Sequence, residues 1–263
     1  MLSNTLFRVP RNDGLHLLQR RGDAGARELT SWRLRLRPGG SATFRADGEE
    51  TIFVLQEGRG IVAAGGRQWP VARRGVFEER ATAVYLPPDM ELTVKAEADL
   101  EAILVSTPAR SGGEAVLVQP EDVVVNARGR GSYAREVHDI LVRDSHAQRL
   151  MVGETMNPPG HWSSYPPHKH DGRDGEPALE EIYHFRISPS QGFGQQVLYT
   201  SDGESVTHQV RDGDAVLLPY GYHPVSSPPG YCLYYLWAMA GEQRKLALFE
   251  DPAHRWIHDA ANP

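Results

Sequence analysis

The sequence predicts an all-β protein made of two tandem β-barrel or jelly-roll domains. Three observations carry this expectation. Helical periodicity is scarce, while short β-branched and aromatic runs recur along the chain. Those runs are cut by 26 glycines and 19 prolines, which punctuate short segments. The pattern of the first half then returns in the second, which reads as an internal duplication.

In chain order, "ETIFVLQ" (50–56), "GIVAAGG" (60–66), "TAVYLP" (82–87), "ELTVKA" (91–96) and "LEAILVS" (100–106) read as strands of the first half. A bridging stretch, "VNARGRGSYAREVHDIL" (125–141), follows, and its basic run "ARGRG" reads as linker. The second half offers "LMVGETM" (150–156), "EIYHFRI" (181–187), "QQVLYTS" (195–201), "THQVRDG" (207–213), "AVLLP" (215–219) and "CLYYLWAM" (232–239). Many short strands with turns at this spacing suit sandwiches and barrels. The halves align as an acidic pair opening an apolar strand, then Gly, apolar strand and Pro: "GEETIFVLQ" and "GVFEERATAVYLPP" against "LEEIYHFRI" and "GDAVLLP". The expected domains are 1–125, a structural barrel, and 126–263, a barrel that carries the site.

At 263 residues the chain is ample for a sizeable core, and 40% hydrophobic with 24% charged residues is a globular composition. A net charge of −6 argues against a nucleic-acid partner, which would call for a basic surface. The one cysteine, Cys232, cannot form an internal disulfide, which fits the cytoplasm. The start "MLSNTLFRVPRNDG" does not read as a secretory signal. No apolar run approaches the ~18 residues of a membrane span. Neither membrane nor nucleic acid is an expected partner; a homo-oligomer is compatible with the sequence.

The chemistry concentrates in "PPHKHD" (166–171), "LEEIYHF" (179–185) and "GDAVLLPYGYHP" (213–224). On a strand, His168 and His170 point to one side and Lys169 to the other. With one carboxylate and the distant His223 they form a facial N/O set that suits divalent Zn, Fe, Mn, Ni or Co. Glu180 and Glu181 compete for the carboxylate position. With Glu181 inward, Tyr183, Phe185 and Ile187 are inward too. With Glu180 inward, Ile182, His184 and Arg186 would be, and a buried guanidinium needs a partner. Packing therefore favours Glu181. The N-terminal copy has no His-x-His and no histidine after Pro87 and Pro88.

The His-x-His, the following Glu and the later Gly213, Pro219, Gly221 and His223 resemble the two motifs of tandem cupins, or bicupins. Two departures stand out. The loop "DGRDGEPALE" lengthens the spacing from His170 to Glu181, and only Tyr222 separates Gly221 from His223. More closely, "PPHKHD", "LEEIYHFRISPSQGF", "DGDAVLLPYGYHPVSSPPGY", "YLWAMAG" and the tail "FEDPAHRWI" resemble the 5-deoxy-glucuronate isomerase family of inositol catabolism. A more distant similarity is to 4-deoxy-L-threo-5-hexosulose-uronate ketol-isomerases, which are zinc bicupins. The resemblance implies His168, His170, Glu181 and His223 as ligands of one divalent ion, zinc first and Mn, Fe, Ni or Co as alternatives. It also implies conversion of 5-deoxy-glucuronate to 5-dehydro-2-deoxy-gluconate, an aldose–ketose isomerisation of a small acidic sugar.

Such an isomerisation needs a base, an acid and a Lewis acid. Tyr183, two residues beyond the carboxylate, and His161, just before the ligand strand, are the acid/base candidates; core packing and a loop position explain them equally well. Arg255, Lys169 and Tyr222 are the candidates for holding the substrate. A metal-dependent dioxygenase and a non-catalytic sugar-acid-binding bicupin are the rival readings, since one fold hosts many functions.

Overall fold

In the computed structural model, which describes residues 1–110, 113–143 and 146–260, the chain is β-rich, with only short 3-10 segments between strands. Among the described residues no helix is long and apolar enough to cross a membrane. The nine-stranded sheet of the N-terminal half centres on Glu49–Ala64, flanked by Ala83–Leu86 and Leu100–Pro108; Thr30–Leu36 and Gly14–Gln19 follow beyond Leu100–Pro108. Glu49–Ala64 is long enough to serve two packed layers. After a register shift between Leu55 and Glu57 it leaves those neighbours and pairs with Arg67–Arg73 and Leu92–Ala96. Gly58 allows this bend: its φ is +101°, and a Cβ there would lie 2.0 Å from the Asp99 carbonyl oxygen.

The C-terminal half repeats the plan. Glu180–Ser188 lies between Ala215–Leu218 and Cys232–Ala240, followed by Leu150–Asn157, Arg135–Leu141 and Val124–Arg128. A second layer holds Trp162–Ser163, Val225–Ser226, Gly194–Tyr199 and Ser205–Val210. His168–Lys169 pairs separately with the tail strand Phe249–Glu250. The layers are open jelly-roll sheets; the strand pairing does not close into a continuous barrel. The "ARGRG" run, expected as linker, is partly edge strand, because Val124–Arg128 pairs along its whole length with Arg135–Asp139.

The N-terminal half lends an edge to the other sheet. Leu6–Phe7 crosses to pair with Ala215–Leu218, whereas Val116–Val118 pairs with Ala83–Leu86 within its own half. One apolar core fills the N-terminal half, with Phe53, Leu55, Val84 and Leu104. Another fills the C-terminal half, with Tyr183, Phe185, Val216 and Trp237. The third lies between the halves and joins Ile52, Val54 and Val105 to Ile182, Leu217 and Leu236.

That third core changes the meaning of an outward-facing side chain. His184 and Arg186, expected to face away from the C-terminal interior, do so, but the N-terminal half covers them. His184 is buried, and Arg186 donates to Asp212 at 2.9 Å. Across the same interface Glu180 accepts hydrogen bonds from the backbone N–H groups of Arg27, Glu28 and Leu29 at 2.6, 3.1 and 2.9 Å. Glu50 does the same for Gln148, Arg149 and Leu150 at 2.8, 2.7 and 2.8 Å. Buried carboxylates satisfied in this way lock one half to the other.

Candidate metal centre and its pocket

Alternation along Glu180–Ser188 puts Glu181 and Tyr183 on the inner face of the C-terminal half. The turn after Ala215–Leu218 brings His223 beside them. It requires glycine at 221, where φ is +86° and a Cβ would meet the Tyr199 carbonyl oxygen at 2.6 Å. The inserted loop supports this arrangement. Lys169 turns away from the site and is buried under salt bridges to Asp171, Asp174 and Glu176 at 2.6, 2.9 and 2.6 Å. Asp171 also accepts the Gly221 N–H at 3.1 Å, which ties the His170 strand to the His223 turn.

His170, Glu181 and His223 are buried, and one ligand atom from each lies within 4.8 Å of the others. Glu181 Oε2 is 3.1 Å from His170 Nε2 and 3.4 Å from His223 Nε2. Each imidazole donates Nδ1–H to a backbone carbonyl, Leu179 at 2.8 Å and Gly221 at 3.0 Å. A carbonyl only accepts, so each Nδ1 carries a proton, and each ring in its neutral form turns its Nε2 lone pair toward the carboxylate. Glu181 Oε1 and His223 Nε2 are buried without a hydrogen-bond partner. Converging lone pairs in a buried site are costly unless a cation joins them. Their separations suit ligands about 2.0–2.2 Å from one divalent ion. The donor set therefore fits a divalent metal.

Two of the three imidazoles are held neutral by burial. Burial, then repulsion from His168 and His170, holds His223 well below the usual histidine range. Burial, then His170 and Arg135, lowers His168 to about 3. Burial raises the Glu181 carboxyl. Burial also opposes charge on His170, but the Glu181 carboxylate overrides it and raises that imidazole, so this pair attracts positive charge. His168 stands outside the tight group. Its ring centre is 4.8 Å from that of His223 and 6.4 Å from that of His170.

A cavity of about 880 Å³ opens beside the cluster and is lined by His168, Glu181, Tyr183, Ser164, Tyr235 and Arg135. The tail contributes Leu246, Leu248, Glu250 and His258 to its wall. Arg130 fastens that tail by donating to the carbonyls of Ile257, His258 and Ala260. The Tyr183 hydroxyl is 3.0 Å from Ser164 Oγ, and its ring stacks on Tyr235 with centroids 4.2 Å apart. Burial and the Glu181 charge raise Tyr183 well above the ordinary phenol range, so it keeps its proton.

The remaining sequence candidates do not reach the cavity wall. His161 is 2.8 Å from the Ala134 carbonyl through Nδ1. Lys169 is committed to its three carboxylates. Arg255 lies over the Phe249 ring and donates to the Glu250 carbonyl at 3.2 Å. Tyr222 is buried against Tyr199, with ring centroids 5.0 Å apart. Sequence reasoning missed Arg135, Ser164, Glu250 and His258. Only alternation from Val137 carried a signal for Arg135. The other three owe their place to long-range pairing.

The KduI/IolB family matches residues 11–257. The chain is 40% identical over 218 residues to the 5-deoxy-glucuronate isomerase of Geobacillus kaustophilus, covering 81% of this chain and 79% of that one. It is 41% identical over 191 residues to the enzyme of the same name from Bacillus subtilis strain 168, covering 70% of each. Among solved structures, an IolB-like protein from Salmonella typhimurium LT2 superposes with a TM-score of 0.92 at 35% identity, over 97% of this chain and 99% of that one. The oxalate decarboxylase of Lactobacillus farciminis, at 14% identity and a TM-score of 0.67 over 99% and 89% of the two chains, shares the fold alone. With the duplicated jelly roll and a histidine–carboxylate cluster in place, the match across nearly the whole chain shows that this protein belongs to the KduI/IolB family.

Proposed function

We propose that the chain is a metal-dependent 5-deoxy-glucuronate isomerase of inositol catabolism, producing 5-dehydro-2-deoxy-gluconate. The observation that carries this reading is the buried His170–Glu181–His223 cluster, whose Glu181 lines a cavity large enough for a six-carbon acid. Relatives of that name at about 40% identity support the substrate. His168 is the fourth ligand and the C-terminal half the working one; the N-terminal half is its scaffold. Zinc is the proposed ion, because it favours four-coordinate imidazole and carboxylate sets. A cytoplasmic location fits the single cysteine.

When bound, a divalent ion supplies Lewis acidity to the substrate oxygens. The chain supplies the proton chemistry. Tyr183 keeps its proton and donates a hydrogen bond to a substrate oxygen, with Ser164 orienting the hydroxyl. Among the cavity carboxylates, Glu181 belongs to the ligand set, and Asp139 accepts from Asn126 at 3.1 Å and faces Arg143 at 3.6 Å. Glu250, 2.9 Å from His258, is left to take the proton beside the aldehyde and return it to the neighbouring carbon. A carbonyl-shift assay on 5-deoxy-glucuronate tests the reading. Turnover should be equal with and without oxygen, vanish on chelation and return with zinc. An oxygen requirement would favour the dioxygenase reading, and binding without turnover the non-catalytic one.

A further inference from the structure

Arg135 differs from the other withdrawn arginines of this protein. Arg73 pairs with Glu154 at 2.7 Å, and Arg33 faces Glu101 at 3.6 Å. Arg135 is half-buried and has no carboxylate partner among the described residues. Its Nη1 donates to the carbonyls of Tyr133 and Tyr165, both at 3.1 Å, and its Nε is buried with no partner at all. Burial and repulsion from Arg128 lower its pKa, a sign of unneutralised charge. It lines the same cavity as His168, Glu181 and Tyr183. Buried charge is ordinarily paired, and a planar guanidinium with N–H groups to spare donates parallel hydrogen bonds to a carboxylate.

We infer that Arg135 receives the carboxylate of the sugar acid and so makes the pocket select acids over neutral sugars. The inference rests on the reading of this cavity as the sugar-acid site. The other cavity arginines are less suited. Arg130 is occupied by three tail carbonyls, Arg143 is two-thirds exposed beside Asp139, and Arg128 is exposed at the rim.

Calorimetric titration with D-glucuronate and with D-glucose tests this without requiring turnover. The unmodified protein should bind glucuronate at least ~10-fold more tightly than glucose. R135M should weaken glucuronate about 10- to 100-fold and leave glucose unchanged. R128A should change either by less than ~3-fold, because its charge is screened by solvent. Should R135M fail to fold, R135K carries the test, since a point charge without the planar fork should recover only part of the preference. No preference in the unmodified protein, preference retained in R135M, or a loss that falls on R128A instead would overturn the assignment. If the preference depends on Arg135 but 5-deoxy-glucuronate is not isomerised, the anchor stands and the isomerase reading fails.

Discussion

The two halves of this chain are the same frame put to different uses. Strand register makes the comparison residue by residue. Thr51 lies between Leu86 and Ser106, and Glu181 between Leu218 and Met239. Thr51 therefore occupies the place of the Glu181 carboxylate, Phe53 that of Tyr183, and Val54 that of His184. Three residues past Leu86 and Leu218 the chain takes a left-handed conformation in both halves, at Asp89 (φ 64°) and Gly221 (φ 86°). Two residues further on stand Glu91 and His223. The inner face thus differs, with apolar packing in one half and a histidine–carboxylate cluster beside a cavity in the other. The face between the halves kept its device, Glu50 and Glu180 each capturing three backbone N–H groups of the opposite half. The interiors of the two copies differ, while the contact that joins them is made in the same way by both.

The strongest way to break the comparison is at the ligand position. Glu181→Gln should lose most bound metal and about 10³-fold of isomerase activity, since several kcal/mol of charge stabilisation go with the ion. Thr51→Val at the matching site should leave metal content, read by atomic emission, and turnover unchanged. Full metal content in Glu181→Gln would remove that residue from the ligand set.

Next comes the shared interface. Glu50→Ala and Glu180→Ala should each cost about 3–5 kcal/mol of stability, because each strands buried N–H groups. Thermal melts should fall by roughly 6–20 °C in either variant, at ~2–4 °C per kcal/mol. Similar losses in the two would sharpen the symmetry; a loss in only one would break it.

Tyr183→Phe gives the C-terminal half the residue that the N-terminal half has at Phe53. Activity should fall about 10²-fold with metal content retained, as expected when a positioned proton donor is removed. Normal turnover would reduce Tyr183 to core packing.

The smallest effect concerns His184, where the N-terminal half has Val54. Burial, with the Arg33 charge, lowers the His184 imidazole to about 3. Between its unfolded value near 6.5 and that folded value, the unfolded chain binds a proton that the native state does not. Stability from this group is complete above about pH 6.5 and falls as pH drops, by about 1.4 kcal/mol per pH unit. His184→Val should flatten the pH dependence of denaturant unfolding by that slope between about pH 6 and 4. An unchanged slope would mean that His184 finds a proton acceptor in the native state.

Much of this was legible before folding because it is local. A period of two puts Glu181, Tyr183 and Phe185 on one face whatever they pack against. The His-x-His pair, the Gly221 turn before His223 and the repeated acidic pair are short-range patterns of the same kind. The tail was harder to read. Glu250 reaches the cavity only because Phe249–Glu250 pairs with His168–Lys169, far back in the chain. Ser164 and Arg135 lie in stretches whose composition reads as loop and linker.

By itself the sequence determined the strand class and the duplication, and it put the histidine–carboxylate motifs in the second half, because alternation and spacing act through covalent geometry. Only the tertiary structure decided what the outward faces are for. It buried His184 and Glu180 against the other half, turned the inserted loop into a brace around Lys169, and left Arg135 in the cavity with no carboxylate partner among the described residues. Those outcomes depend on which distant surface arrives to exclude water, and burial, unlike side-chain direction, is a property of the assembled whole.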